Sequence, residues 1–143
     1  MSTIDLIDKF WETITPVWRQ TRAQIRGVAA DRFGLTVEQF QVLRRIRKGY
    51  DSVSALAKEG HFSRSQASRA VDALVNKRLV TRLTDAQDRR HVHLSLTEKG
   101  EKALSAIFAE TETWLAKRFQ SLTPEQTGQI TRALSLLRDA FNQ

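Results

Sequence analysis

The run LVTRLTDAQDRRHVHLSLTEKG, residues 79–100, leaves the chain the least freedom. In its second half Val92, Leu94 and Leu96 fall on one side, and His91, His93 and Ser95 on the other. A two-residue period fits a half-buried strand and cannot be laid along one helix face. LVTRLT (79–84) fits the partner strand, so a hairpin is expected with Asp88-Arg89-Arg90 at its tip. Two arginines at a tip pack poorly and offer no base to abstract a proton. They suit a reach toward an anion. Asp88 and Arg90, two apart in an extended chain, lie on one side, so the carboxylate can hold the guanidinium in a fixed direction. Arg89 points the other way, where a phosphate is the natural partner.

Everything around the hairpin reads as helix. From Ile4 to Val28 the apolar residues recur at helical spacing, with Thr15-Pro16 inside the run. Either that helix kinks at Pro16, or Thr15 caps a second helix. Gly34 closes the segment. Thr36 with Gln39 forms a capping box for a helix to about Lys48, which Gly49 ends. A short helix spans 52–59 with Gly60 as its stop, and Ser63 with Gln66 caps the next. Thr97 opens a helix to about Gln120, and Thr123-Pro124 a last one to about Asn142.

Two helices joined by Gly60-His61-Phe62 fit a helix–turn–helix. Ala67, Ala70, Val71, Leu74 and Val75 make the apolar face of the second helix. The opposite face presents Ser65, Arg69, Ala73 and Asn76, flanked by Gln66 and Ser68. These are side chains able to read base edges, and Arg64 in the first turn suits a phosphate. The same spacing also fits an ordinary solvated face. The hairpin decides between them, because a winged helix lays such a tip along a duplex, where the minor groove's negative potential favours arginine. A net charge of +7 and a pI near 10.4 agree with a polyanionic partner. With no cysteine, thiolate catalysis, thiol switching and Cys-based zinc sites are excluded. No apolar run is long enough to span a membrane, and the acidic start MSTIDLIDKFWE is unlike a signal peptide, so a cytoplasmic location is expected.

LAKEGHFSRSQASRAVDALVNKRLVTR (56–82) and DAQDRRHVHLSLTEKG (85–100) resemble the MarR family of winged-helix transcription regulators, as does LTVEQFQVLRRI (35–46) upstream. The most specific elements are Asp-x-x-Asp-Arg-Arg (85–90) and Leu-Thr-x-x-Gly (96–100). The resemblance implies a homodimer on a pseudopalindromic operator in double-stranded DNA, acting as a repressor. It implies that Arg90 enters the minor groove, that Asp88 orients it, and that Ser65, Gln66, Ser68 and Arg69 read the major groove. Asp72 matches a recurring helix acid and is expected to pair with a nearby arginine. Two positions depart from the pattern. Arg78 stands where the exit glycine is usual, so the turn differs or Arg78 adds a phosphate contact; Ala86 replaces a frequent proline, which should loosen the wing.

The terminal segments carry more apolar surface than a small DNA-binding lobe needs. Leu104, Ile107/Phe108, Leu115, Phe119 and Leu122 run along one helix, and Ile130, Leu134, Leu137 and Phe141 along the next. Stripes of that size mark an interface. The resemblance also implies release by a small aromatic effector, for which Trp11, Trp18, Arg22 and Phe40 are the candidate lining, with Arg22 for a carboxylate. The same four residues also fit plain dimer core. His91 and His93 share a strand face, but no acidic ligands cluster beside them in the sequence, so no metal is expected. No cofactor is expected either.

Glu110, Glu112 and the histidines are the only material for an enzyme, and no nucleophile–base pair or glycine-rich phosphate loop accompanies them. A winged helix that binds protein instead of an operator is the alternative, and a membrane-surface helix a weaker one. The expected fold is mainly α (α+β). Residues 1–34 and 99–143 would supply dimerisation helices, and residues 35–98 a winged helix-turn-helix lobe.

Overall fold

The structure, a computed structural model, describes residues 2–143. Its elements are α1 (Thr3–Phe33), α2 (Val37–Arg47), α3 (Val53–Gly60), α4 (Arg64–Asn76), β1 (Val80–Thr84), β2 (Val92–Leu96), α5 (Glu98–Phe119) and α6 (Pro124–Phe141). The described residues form two compact units that divide after Thr111. The division falls inside α5.

The helix starts are capped by the residues that the sequence offers for it. Thr36 with Gln39, Ser63 with Gln66 and Thr123 with Gln126 all close reciprocal capping boxes, and Ser2 does the same with Asp5. Each box satisfies two backbone donors that a helix start leaves unpaired. Gly34 ends α1 in the left-handed conformation at φ 62. Two expectations change. α1 runs without a break through Pro16, so Thr15 does not cap a second helix. α3 includes Gly60 and ends on His61, which takes the left-handed conformation itself at φ 56. Gly60 serves packing instead: a Cβ there would lie 2.1 Å from the Phe62 ring.

The core of the first unit is built from every element up to α5. Leu43 of α2, Leu56 of α3, Leu74 and Val71 of α4, and Val80 of β1 are fully buried. Leu104 and Ile107 join them, so these two belong to this core and not to an exposed stripe. Ile25, Val28 and Ala29 tie the end of α1 to the same cluster. Other apolar side chains stay outside. On α1, Ile4, Leu6, Ile7, Trp11, Val17 and Trp18 are exposed; on α6, Ile130, Leu134 and Leu136 are.

β1 and β2 pair antiparallel with Val80 opposite Leu96 and Thr84 opposite Val92. Thr97 then ties the hairpin's base to α5. Its backbone N–H donates to Leu79 O at 3.0 Å, its hydroxyl donates to Arg78 O at 2.6 Å, and that hydroxyl accepts from Gly100 N at 3.0 Å. The turn at Arg78 keeps the form a glycine would give it: Arg78 is left-handed at φ 61. The Thr97 hydroxyl on its carbonyl, and Leu79 N–H donating to Leu74 O at 3.0 Å, hold it there. A side chain in that region costs roughly 1–2 kcal/mol. Arg78→Gly is therefore expected to raise unfolding stability by about 1 kcal/mol, read as a higher urea midpoint at unchanged slope. A lower midpoint would mean that the Arg78 side chain contributes more than its backbone costs.

Candidate nucleic-acid interface

The first turn of α4 presents Arg64 and Ser65 to solvent, with Arg69 one turn on and Asn76 near the end, all exposed. Ser68 is half-buried. Gln66 is already engaged, because its carboxamide oxygen accepts from Ser63 N at 2.9 Å while its own N–H donates to Ser63 Oγ at 3.0 Å. Bidentate pairing with adenine needs both ends of a carboxamide. Gln66 therefore has only its amino group to offer unless the cap opens.

The hairpin tip is a set of nested turns. Asp85 N–H donates to His91 O at 2.9 Å and His91 N–H to Asp88 O at 3.0 Å, so Asp88–His91 is a tight turn and not the extended stretch expected. The expected pair forms within that turn. Asp88 Oδ1 accepts from Arg90 N and Nε, both at 3.1 Å, and Oδ2 accepts from Nη2 at 3.3 Å. The Arg90 side chain nevertheless remains 91% exposed. This is a guanidinium held in direction but not covered. Its hydrogen bonds, side chain first and backbone second, hold the Asp88 carboxyl below the usual carboxylate range. The clamp is thus intact above the ordinary carboxylate pKa and is lost only as pH falls through the depressed value. Arg89 is exposed and takes no part in the clamp.

Between α4 and the hairpin lies a cleft of about 530 Å³ that brings Arg64 and Ser68 together with Arg90. Ser52, Ser54 and Arg82 line it too, three residues that spacing along one helix could not find because they come from other elements. Arg82 is the arginine that Asp72 pairs with, side chain to side chain. Asp72 and Arg82 therefore present little net charge to the cleft.

The base of the wing is latched to the α2–α3 connection. Leu94 N–H donates to Asp51 O at 2.8 Å, and His93 Nδ1 lies 3.0 Å from Asp51 Oδ2. His93 Nε2 is 3.9 Å from Asp85 Oδ2, and His91 Nε2 is 3.4 Å from Asp88 Oδ2. Carboxylates do stand beside both histidines, brought there by the fold. Among the described residues no group of three or more His, Cys, Asp or Glu is placed to hold a metal ion. Glu110, one of the acids considered for catalysis, is ion-paired with Arg32. No helix among the described residues is long and apolar enough to cross a membrane.

Away from the wing, Trp18, Arg22 and Phe40 line one cavity of about 140 Å³ between α1 and α2, and Arg26 and Arg44 share it. Trp11 is not part of it; at 63% exposed it borders a neighbouring groove along α1. Arg44 was not legible as a site residue. Its enclosed Nε has no hydrogen-bond partner, and burial first, then the neighbouring Arg45, hold it below its ordinary pKa.

A profile described as the MarR family matches residues 33–91. Among curated proteins, the chain is 29% identical to the uncharacterized HTH-type transcriptional regulator YpoP of Bacillus subtilis, over 85% of both chains. It is 30% identical to the HTH-type transcriptional repressor MdtR of the same organism, over 75% of this chain and 70% of that protein. Among solved structures, the transcriptional regulator Tm0710 of Thermotoga maritima superposes with a TM-score of 0.83 at 25% identity, covering 94% of this chain and 95% of that one.

Proposed function

The chain belongs to the MarR family of winged helix-turn-helix regulators, and from that premise we propose that it is a homodimeric repressor reading a pseudopalindromic operator. The observation that carries this is Arg90, oriented by Asp88 yet exposed, beside the polar face of α4. A guanidinium that is already aimed loses less freedom on entering a minor groove than a loose one. α4 lies in the major groove. There Ser65, Ser68 and Arg69 face base edges, Gln66 offers its amino group, and Arg64 and Arg89 take phosphates. The strand between the two grooves passes over the cleft, where Ser52, Ser54 and Arg82 meet its backbone.

The exposed apolar side chains of α1 and those of α6 support dimerisation, since soluble monomers seldom leave such stripes uncovered. A twofold pair would set two α4 helices about 34–36 Å apart, one turn of duplex. MdtR, the relative at 30% identity, is named a repressor. A small aromatic anion in the α1–α2 cavity is the releasing signal.

Fluorescence anisotropy of a labelled fragment from upstream of the gene, against a scrambled duplex and across salt, tests the operator reading. Tighter binding to the upstream fragment is expected, and equal affinity for both would leave only a non-specific or protein-binding winged helix. Each phosphate contact removed, at Arg64 or Arg89, should lower the log–log salt slope by about 0.9. Native mass at micromolar concentration is expected to give twice the chain mass; a monomer there would refute the twofold arrangement.

A further inference from the structure

Gln66 stands in the first turn of α4, the part of a recognition helix that reaches base edges. One end of its carboxamide is already committed. The oxygen accepts from Ser63 N at 2.9 Å, while the Gln66 backbone N–H donates to Ser63 Oγ at 3.0 Å. Chemistry fixes which end faces the cap, because a backbone N–H only donates and its partner must be the oxygen. The amino group is left over, and among the described residues it makes no hydrogen bond. Gln39 and Gln126 close boxes of the same form on α2 and α6, so the cap alone does not set Gln66 apart. Its place on α4 does. Against a duplex, where water is displaced, freeing the oxygen would strand the Ser63 N–H without an acceptor.

A closed box makes the Gln66 side chain a donor and nothing else. An uncommitted glutamine pairs with adenine by giving to N7 and taking from the N6 amino group. With the oxygen engaged, adenine would set its amino group against another amino group. Cytosine offers the major groove only a donor. Guanine presents two neighbouring acceptors, O6 and N7, and thymine one, O4, beside its methyl group. The rest of the face works in the same direction. Arg64 and Arg69 can only donate, and the single carboxylate of α4, Asp72, is occupied by Arg82. We infer that Gln66, held in its cap, selects guanine over adenine in each half-site. The inference rests on the operator reading proposed above and adds a base preference to it.

Selection from a randomised duplex library by the full-length protein, with sequencing of the bound fraction, tests it. Gln66→Glu is the informative variant. A glutamate closes the same capping box, so its melting temperature should stay at or above the parent's. It replaces the donor with an acceptor. The parent should enrich guanine at one position of each half-site, and changing that guanine to adenine should weaken binding about fivefold or more. Gln66→Glu should turn against guanine there, favour a base with an amino group, cytosine or adenine, and leave the other positions unchanged. Gln66→Ala lacks both ends of the amide; it should melt lower and lose discrimination at that position alone. Adenine enriched by the parent where Gln66→Glu changes the selection would mean that the cap opens on DNA, and would overturn the inference. So would a Gln66→Glu protein that selects the parent's bases at uniformly lower affinity, the signature of a phosphate contact. A Gln66→Glu protein that melts well below the parent would count equally against the closed cap. Failure of the operator reading looks different: the parent then enriches no sequence at all, and the base preference falls with it.

Discussion

Gly100→Ala is expected to destabilise the protein by about 3 kcal/mol, lowering its melting temperature by roughly 10 °C for a chain of this length. The reason lies in one backbone contact. A Cβ at Gly100 would stand 2.2 Å from Leu79 O, a distance at which something must move. Leu79 O cannot move cheaply, because it accepts the Thr97 N–H at 3.0 Å and so joins the start of β1 to the start of α5. Thr97 is held from two further sides, by Arg78 O and by Gly100 N itself. The clash is with backbone, and no rotamer relieves it. Gly128, on the exposed side of α6, makes the opposite prediction. Nothing lies within 4 Å of its Cβ position, so Gly128→Ala should stabilise by about 0.5–1 kcal/mol through helix propensity alone. Chemical unfolding of the two variants beside the parent reads both signs. A Gly100→Ala protein as stable as the parent would mean that the junction of wing and helix is slack, and with it the placement of Arg90.

The contrast between these glycines marks what could be read along the chain and what could not. Contacts made within a few residues were legible. Thr36 with Gln39, Ser63 with Gln66, and Asp88 with Arg90 are local chemistry, and each forms. Features set by distant partners were not. Leu104 and Ile107 read as part of an exposed stripe because their helical spacing is the same whether the face meets solvent or core. His93 gave no sign of Asp51, which stands 42 positions earlier. Gly60 read as a stop, since nothing local reveals that the Phe62 ring lies over it. Pro16 costs about 3 kcal/mol in a helix interior, yet α1 continues through it, so of the two local outcomes the cap at Thr15 does not form. In the candidate interface, the recognition face and the tip came from spacing, whereas Ser52, Ser54 and Arg82 came only from the fold. Arg44 is the extreme case, a residue distinguished by the partner it lacks.

In the proposed complex Arg90→Ala should weaken operator binding by about 1–3 kcal/mol, roughly 5- to 150-fold, with the larger part of the loss against the specific site. The sign of the Asp88 variant is the sharper test. If Asp88 acted only through its charge, Asp88→Ala would remove repulsion from the phosphates and tighten binding. If it acts by aiming Arg90, the same variant weakens binding, because a free arginine carries about 2 kcal/mol of rotamer entropy that the clamp has already removed in part. The geometry favours weakening: the carboxylate spends both oxygens on Arg90, and its side chain is 32% exposed against 91% for its partner. The two variants should therefore not be additive. On an Arg90→Ala background Asp88→Ala should cost nothing or even gain, giving a coupling of about 0.5–3 kcal/mol in a double-mutant cycle. Anisotropy titrations of the four proteins at one salt concentration measure it. Tighter binding by the single Asp88→Ala protein would show that Asp88 is a repulsive neighbour and that Arg90 finds its groove unaided.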